Sequence, residues 1–155
     1  MIRELLLAEL SAIGSVSRDQ IEAILNECVL ETMRQDMEAI EQSKPSVTVW
    51  GDGSASREFL YAGDCAKAIE LSIEGYNSPE PMNIGTGQEI SIKDLVVLIK
   101  DVVCYEGEIN FDESKPNGQP RRCLDTSKAK KELNFVAETT LEKGLEKTYN
   151  WYINE

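Results

Sequence analysis

From Ile2 to Ile13 the apolar residues Ile2, Leu5, Leu6, Leu10 and Ile13 fall on one helical stripe that stops at Gly14. Ser17 with Gln20 three residues on forms a capping-box pattern. Behind it Ile21, Leu25, Cys28, Val29, Met33, Met37 and Ile40 recur at three- and four-residue steps until Ser43-Lys44-Pro45 ends the run. The pattern predicts a helical hairpin over residues 1–44, forming a first domain that extends to 46. Its apolar face needs cover, either from the rest of the chain or from a second copy of it.

After Pro45 the period changes. Val47-Thr48-Val49-Trp50 reads as a strand stopped by Gly51-Asp52-Gly53-Ser54, and Arg57 to Tyr61 reads as a second. Asp64 is the expected N-cap of a helix running to about Gly75, and Ser91 that of a helix from Ile92 to Val103. Glu108 to Phe111 is a further strand. Asp125 or Thr126 opens a short helix ending near Leu133, and Thr140 opens a last one to Ile153. Strands and helices alternating at this spacing predict an α/β fold for residues 47–155, with a small, partly parallel sheet and flanking helices.

Composition narrows the chemistry. The 155 residues are 41% hydrophobic and 28% charged, which suits a globular chain. With 16 Lys and Arg against 28 Asp and Glu, the net charge is −12, which disfavours nucleic acid and anionic membranes as partners. There is no His, so imidazole acid–base catalysis and His-containing nucleophile pairs and metal sites are excluded. Cys28, Cys65, Cys104 and Cys123 stand too far apart for a zinc ribbon or redox pair and are expected to be reduced, mostly buried thiols. Glu4 and Glu9 bracket the short run Leu5-Leu6-Leu7-Ala8, which is no signal sequence or membrane span, so a cytoplasmic location is expected.

Charge is not spread evenly. Between Lys115 and Lys131 stand Lys115, Arg121, Arg122, Lys128, Lys130 and Lys131 against Asp125 alone, a local +5 that leaves −17 for the rest. The segment Ser114-Lys115-Pro116-Asn117-Gly118-Gln119-Pro120-Arg121-Arg122 sets a Lys and two Arg around a proline-stiffened loop, which loses little entropy on closing around an anion. Guanidinium groups grip phosphate oxygens in pairs. The same charges also suit a solvated loop that balances nearby acids, and both readings stay open here. Trp50 fits either a core or a ligand-stacking role. Gly85-Thr86-Gly87, before a helix, could offer amides to a phosphate. It lacks the spacing and acidic partner of a dinucleotide fingerprint.

These residues also carry a resemblance. Trp50-Gly51-Asp52-Gly53-Ser54, Arg57-Glu58-Phe59-Leu60-Tyr61 with Asp64, and Asn83-Ile84-Gly85-Thr86-Gly87 with Ser91-Ile92 resemble the C-terminal half of extended short-chain dehydrogenase/reductases acting on nucleotide sugars. The stretch from Ser114 to Arg122, with Leu124-Asp125, resembles the GDP-L-fucose synthases in particular. That family epimerises GDP-4-keto-6-deoxy-mannose and then reduces it with NADPH. The resemblance implies that Arg57 and Lys115 contact the diphosphate of a GDP-sugar, that Trp50 lies close to the nucleotide, and that Arg121 lies near the same site. It implies turn and cap roles for Asp52, Glu58 and Asp64. Ala62-Gly63-Asp64 keeps only the last residue of the family's Val-Asp-Asp element. The chain has no His, no glycine-rich dinucleotide loop and no Tyr followed by Lys at the fourth position, so none of the family's catalytic residues is matched.

The expectation is therefore a GDP-sugar- or GDP-binding lobe with no catalytic, cofactor-binding or metal-binding residues of its own, although the family uses NADP. Two alternatives stand beside it. One is half of a split NADP-dependent epimerase/reductase, completed by a Rossmann partner that docks through residues 1–44. The other is a non-catalytic module that forms homo-oligomers through the hairpin.

Overall fold

The structure, a computed structural model, describes residues 44–154 together with Glu38 and Gln42. The chain divides into two units, Met1–Lys44 and Pro45–Glu155. The hairpin expected over 1–44 lies outside the described residues, and the account below concerns the second unit.

Its elements are β1 (Ser46–Trp50), β2 (Ser56–Glu58), α1 (Ala62–Gly75), β3 (Glu89–Ser91), α2 (Ile92–Val102), β4 (Glu108–Asp112), α3 (Ser127–Leu133) and α4 (Leu141–Ile153). The α/β class is as the alternation predicts. The sheet is divided: β1 and β4 form a parallel pair in register from Ser46 with Glu108 to Trp50 with Asp112. β2 and β3 form a separate antiparallel pair, from Ser56 with Ser91 to Glu58 with Glu89. Between β1 and β2 the chain turns through Gly51 and Gly53, both in the left-handed region at φ 83° and 74°, so β2 leaves the first sheet. The strand expected from Arg57 to Tyr61 is shorter and earlier, and β3, three residues long, is too brief to show a period.

Helix ends follow local chemistry where the partner is close in sequence. Ser91 Oγ accepts the Asp94 amide at 3.0 Å, as a cap should. The turn supplies more: the amides of Ile92 and Lys93 donate to the carbonyls of Ala55 and Gly53, so the first donors of α2 are satisfied within the fold. α3 ends at Asn134 in the left-handed conformation, φ 51°. Asp64 is a correction. α1 begins at Ala62 with Tyr61 in the cap position and no side-chain cap bond. The Asp64 carboxylate instead accepts the Thr139 amide (2.9 Å) and hydroxyl (3.1 Å), tying α1 to the segment before α4.

The core sits under the helices. α2 buries Leu95, Val96 and Ile99 on one face and packs on α4, which buries Gly144 and Leu145. α1 packs on α3 around Ala68, Ala129, Leu133 and Phe135. The cysteines are less buried than expected: Cys65 and Cys123 are half-buried, Cys104 is exposed, and all three are free thiols. Cys104 stands at positive φ just past α2.

Candidate functional site

The parallel pair ends at Trp50 and Asp112, side by side, and the loops that follow meet. The Gly51 amide donates to the Asp112 carbonyl at 2.9 Å, and the Lys115 amide donates to the same oxygen at 3.1 Å. Asn117 Oδ1 accepts the Asp52 amide at 2.8 Å, which fastens the loop after β4 onto the turn after β1. Gly51 makes this possible, since a Cβ there would overlap Asn117 Oδ1. The Lys115 ammonium lies 5.7 Å from the centroid of the Trp50 ring, a cation–π distance. Trp50 is 68% exposed, so its ring is available at the surface and is not core.

Arg57, on β2, is half-buried and donates from Nη1 to the Ser56 carbonyl at 2.6 Å. The same loop reaches it: a Cβ on Gly118 would stand 3.6 Å from Arg57 Nη2. Trp50, Lys115 and Arg57 are thus gathered along one loop, residues 115–118. Among the described residues neither Arg57 nor Lys115 is paired with a carboxylate. Arg121 comes alongside through a parallel bridge to Ser56, but its guanidinium donates to Glu89 Oε1 at 2.9 Å. Ser56 Oγ donates to the other Glu89 oxygen at 2.7 Å, and Ser56 and Arg121 together hold the Glu89 carboxyl below its ordinary range. Lys128 is likewise engaged, with Glu80 at 3.2 Å and the Tyr76 ring at 5.4 Å. The local +5 therefore divides. Arg121 and Lys128 balance nearby acids, while Lys115 faces an exposed aromatic ring.

Gly85-Thr86-Gly87 does bind an anionic oxygen, but that oxygen belongs to the chain itself. Glu58 Oε1 accepts the amides of Thr86 (2.5 Å) and Gly87 (2.9 Å) and the Thr86 hydroxyl (3.3 Å). Oε2 accepts the Leu124 amide at 2.6 Å. Burial pushes this carboxyl up. The Leu124, Gly87 and Thr86 amides and the Cys123 thiol pull it down more strongly, and it rests below its ordinary value. The reading of Glu58 as a turn residue misses this role, and no local signal marks it, since its donors lie 28 to 66 residues away. Asp52 is a turn residue as expected, its carboxyl held low by hydrogen bonds from Ser54. Among the described residues no group of three or more Cys, Asp or Glu is placed to hold a metal, and no helix is long and apolar enough to cross a membrane.

With this geometry in place, comparison with known proteins gives a consistent result. The sequence model of the GDP-mannose 4,6 dehydratase family matches residues 17–148. The match starts well before residue 47, where the motifs begin, so the likeness extends into the N-terminal segment. GDP-L-fucose synthase 1 of Arabidopsis thaliana is 41% identical over 121 residues, which is 78% of this chain and 37% of that protein. GDP-L-fucose synthase of Escherichia coli is 40% identical over 130 residues, covering 78% of this chain and 40% of the enzyme. The crystal structure of a GDP-L-fucose synthetase from Naegleria fowleri superposes with a TM-score of 0.75 at 26% identity, over 81% of this chain and 38% of that one. The chain spans well under half the length of each of these relatives.

Proposed function

The chain belongs to the GDP-mannose 4,6 dehydratase family, with the α/β fold of extended short-chain dehydrogenase/reductases, and from that premise we propose that residues 45–155 bind the nucleotide part of a GDP-sugar. One observation carries the reading. Trp50, Arg57 and Lys115 come from three different segments and gather along loop 115–118 at the carboxyl ends of a parallel strand pair, the edge at which α/β sheets bind ligands. Arg57 and Lys115 supply charge for the diphosphate, and the exposed Trp50 ring supplies an apolar face beside the nucleotide. Arg121 stands beside them with Glu89 as its partner, and its contribution is to shape the rim.

NADP, which the family resemblance implies, does not fit the described residues. The Gly85-Thr86-Gly87 loop ahead of β3 and α2 already has its Thr86 and Gly87 amides on the Glu58 carboxylate. We therefore assign the described residues no cofactor and derive no step through one. The chain holds no His and no Tyr followed by Lys at the fourth position, so we assign none of its described residues a proton-transfer role.

Calorimetric titration of the chain with GDP, GDP-mannose and UDP-glucose at two salt concentrations tests the proposal. The guanosine ligands are expected to bind, more weakly at high salt because the contacts are ionic. Arg57→Ala and Lys115→Ala should each weaken binding by about 1.5–3 kcal/mol. Failure of GDP to bind at millimolar concentration, or indifference of its affinity to both substitutions, sinks the reading.

A further inference from the structure

Glu58 sits next to Arg57 on β2, and its half-buried carboxylate is bound by backbone amides and not by a cation. It spans two loops. One oxygen receives the Thr86 amide and hydroxyl and the Gly87 amide; the other receives the Leu124 amide. Gly85 leaves the space this requires, since a Cβ there would overlap Glu58 Oε1. The segment carrying Arg121 is consequently pinned to β2 at two points. The Ser56 backbone exchanges hydrogen bonds with Pro120 (2.9 Å) and Arg122 (3.1 Å), and Glu58 takes Leu124 two residues further on. Loop 115–118, with Lys115 at its start and Gly118 against Arg57, runs directly into this pinned segment.

We infer that Glu58 is a positioning residue that fixes Arg57 and loop 115–118 relative to each other for a diphosphate. The inference rests on the GDP-binding reading and deepens it by naming what holds the cations apart before any ligand arrives. Two like charges approaching one anion repel each other in its absence. A site that holds them by neutral backbone contacts, with the holding force supplied by a carboxylate outside the cluster, needs little reorganisation on binding. The chemistry requires a carboxylate specifically. The Thr86 amide and hydroxyl, the Gly87 and Leu124 amides and the Cys123 thiol are all donors, and the amides approach both oxygens. Glutamine has the same volume but one acceptor, so its NH2 would confront either Leu124 N–H or the Thr86 and Gly87 amides, donor against donor. The groups it ties are loop amides and not core side chains, so the expected consequence is a looser site on an intact fold.

The test is a titration of the full chain and of Glu58→Gln, Arg57→Ala and the double variant with GDP and with GMP. If Glu58 acts through the diphosphate cations, Glu58→Gln lowers GDP affinity tenfold or more and narrows the preference for GDP over GMP. In the Arg57→Ala background the same change then costs less than threefold, because one of the two groups whose spacing it sets is gone. Glu58→Asp keeps two acceptor oxygens on a shorter stem and should recover part of the loss; it also serves the same comparisons if the glutamine variant does not fold. A Glu58→Gln chain that binds GDP within twofold of the parent overturns the inference. So does equal loss for GDP and GMP that adds in full to Arg57→Ala, which marks general loosening. A parent chain indifferent to GDP overturns the proposed function itself, and the positioning role with it, and the unsubstituted protein alone reveals that outcome.

Discussion

Gly51 and Asn117 form a contact in which each residue depends on what the other lacks. Gly51 holds φ 83° and has no Cβ, which lets Asn117 Oδ1 close on the Asp52 amide. Gly51→Ala meets two separable penalties, a left-handed backbone and an overlap with Asn117. It should cost about 1–3 kcal/mol by the urea midpoint. In an Asn117→Ala background the overlap is relieved, so the cost should fall to the backbone part alone; an undiminished cost would mean the two residues do not compete for that space. Glycines and an asparagine around a turn are visible in the sequence as turn formers. That they are matched across 65 residues is not, because no periodicity links positions in two loops.

Among the helices, the two side-chain caps differ in geometry and so should differ in strength. Ser91 Oγ accepts at 3.0 Å and also donates to Asp94 Oδ2 at 2.6 Å, whereas Thr140 Oγ1 accepts from Lys143 at 3.4 Å, near the limit of a hydrogen bond. Ser91→Ala is expected to cost about 1–2 kcal/mol and Thr140→Ala about 0.5 kcal/mol or less in chemical denaturation. Equal costs would refute the ranking by geometry. These caps were legible because their bonds span three residues. Asp64 misleads for the converse reason. Its sequence context is that of a cap, but Thr139 lies in reach only once the segment before α4 is brought back to the start of α1.

Across the whole molecule the charge is a sum of unlike parts, and its pH response follows the internal hydrogen bonds. Glu58, Glu89, Asp52 and Asp125 all have folded pKa values below their ordinary ones. A carboxyl depressed on folding stabilises the protein above its unfolded pKa, near 4 for these groups, and that contribution disappears as pH falls through the lower folded value. Stability should be nearly level from pH 7 to about 5 and then decline toward pH 3. Glu58→Gln should flatten part of that acid limb. A urea midpoint that climbs steadily between pH 5 and pH 3 would show instead that relief of the −12 self-repulsion dominates.

By itself the sequence determined the α/β alternation, the caps at Ser91 and Thr140, the family, and the residue types able to meet a diphosphate. Each is written in short-range spacing or in a motif read along the chain. Only the tertiary structure decided that the strands divide into two pairs, that Arg121 and Lys128 answer to Glu89 and Glu80 while Lys115 lies over Trp50, and that the Thr86 and Gly87 amides serve Glu58. The physical reason is common to all three. A hydrogen bond or ion pair between loops requires proximity in space, and the turn through Gly51 and Gly53, with the packing of α2 on α4 and α1 on α3, brings those loops together.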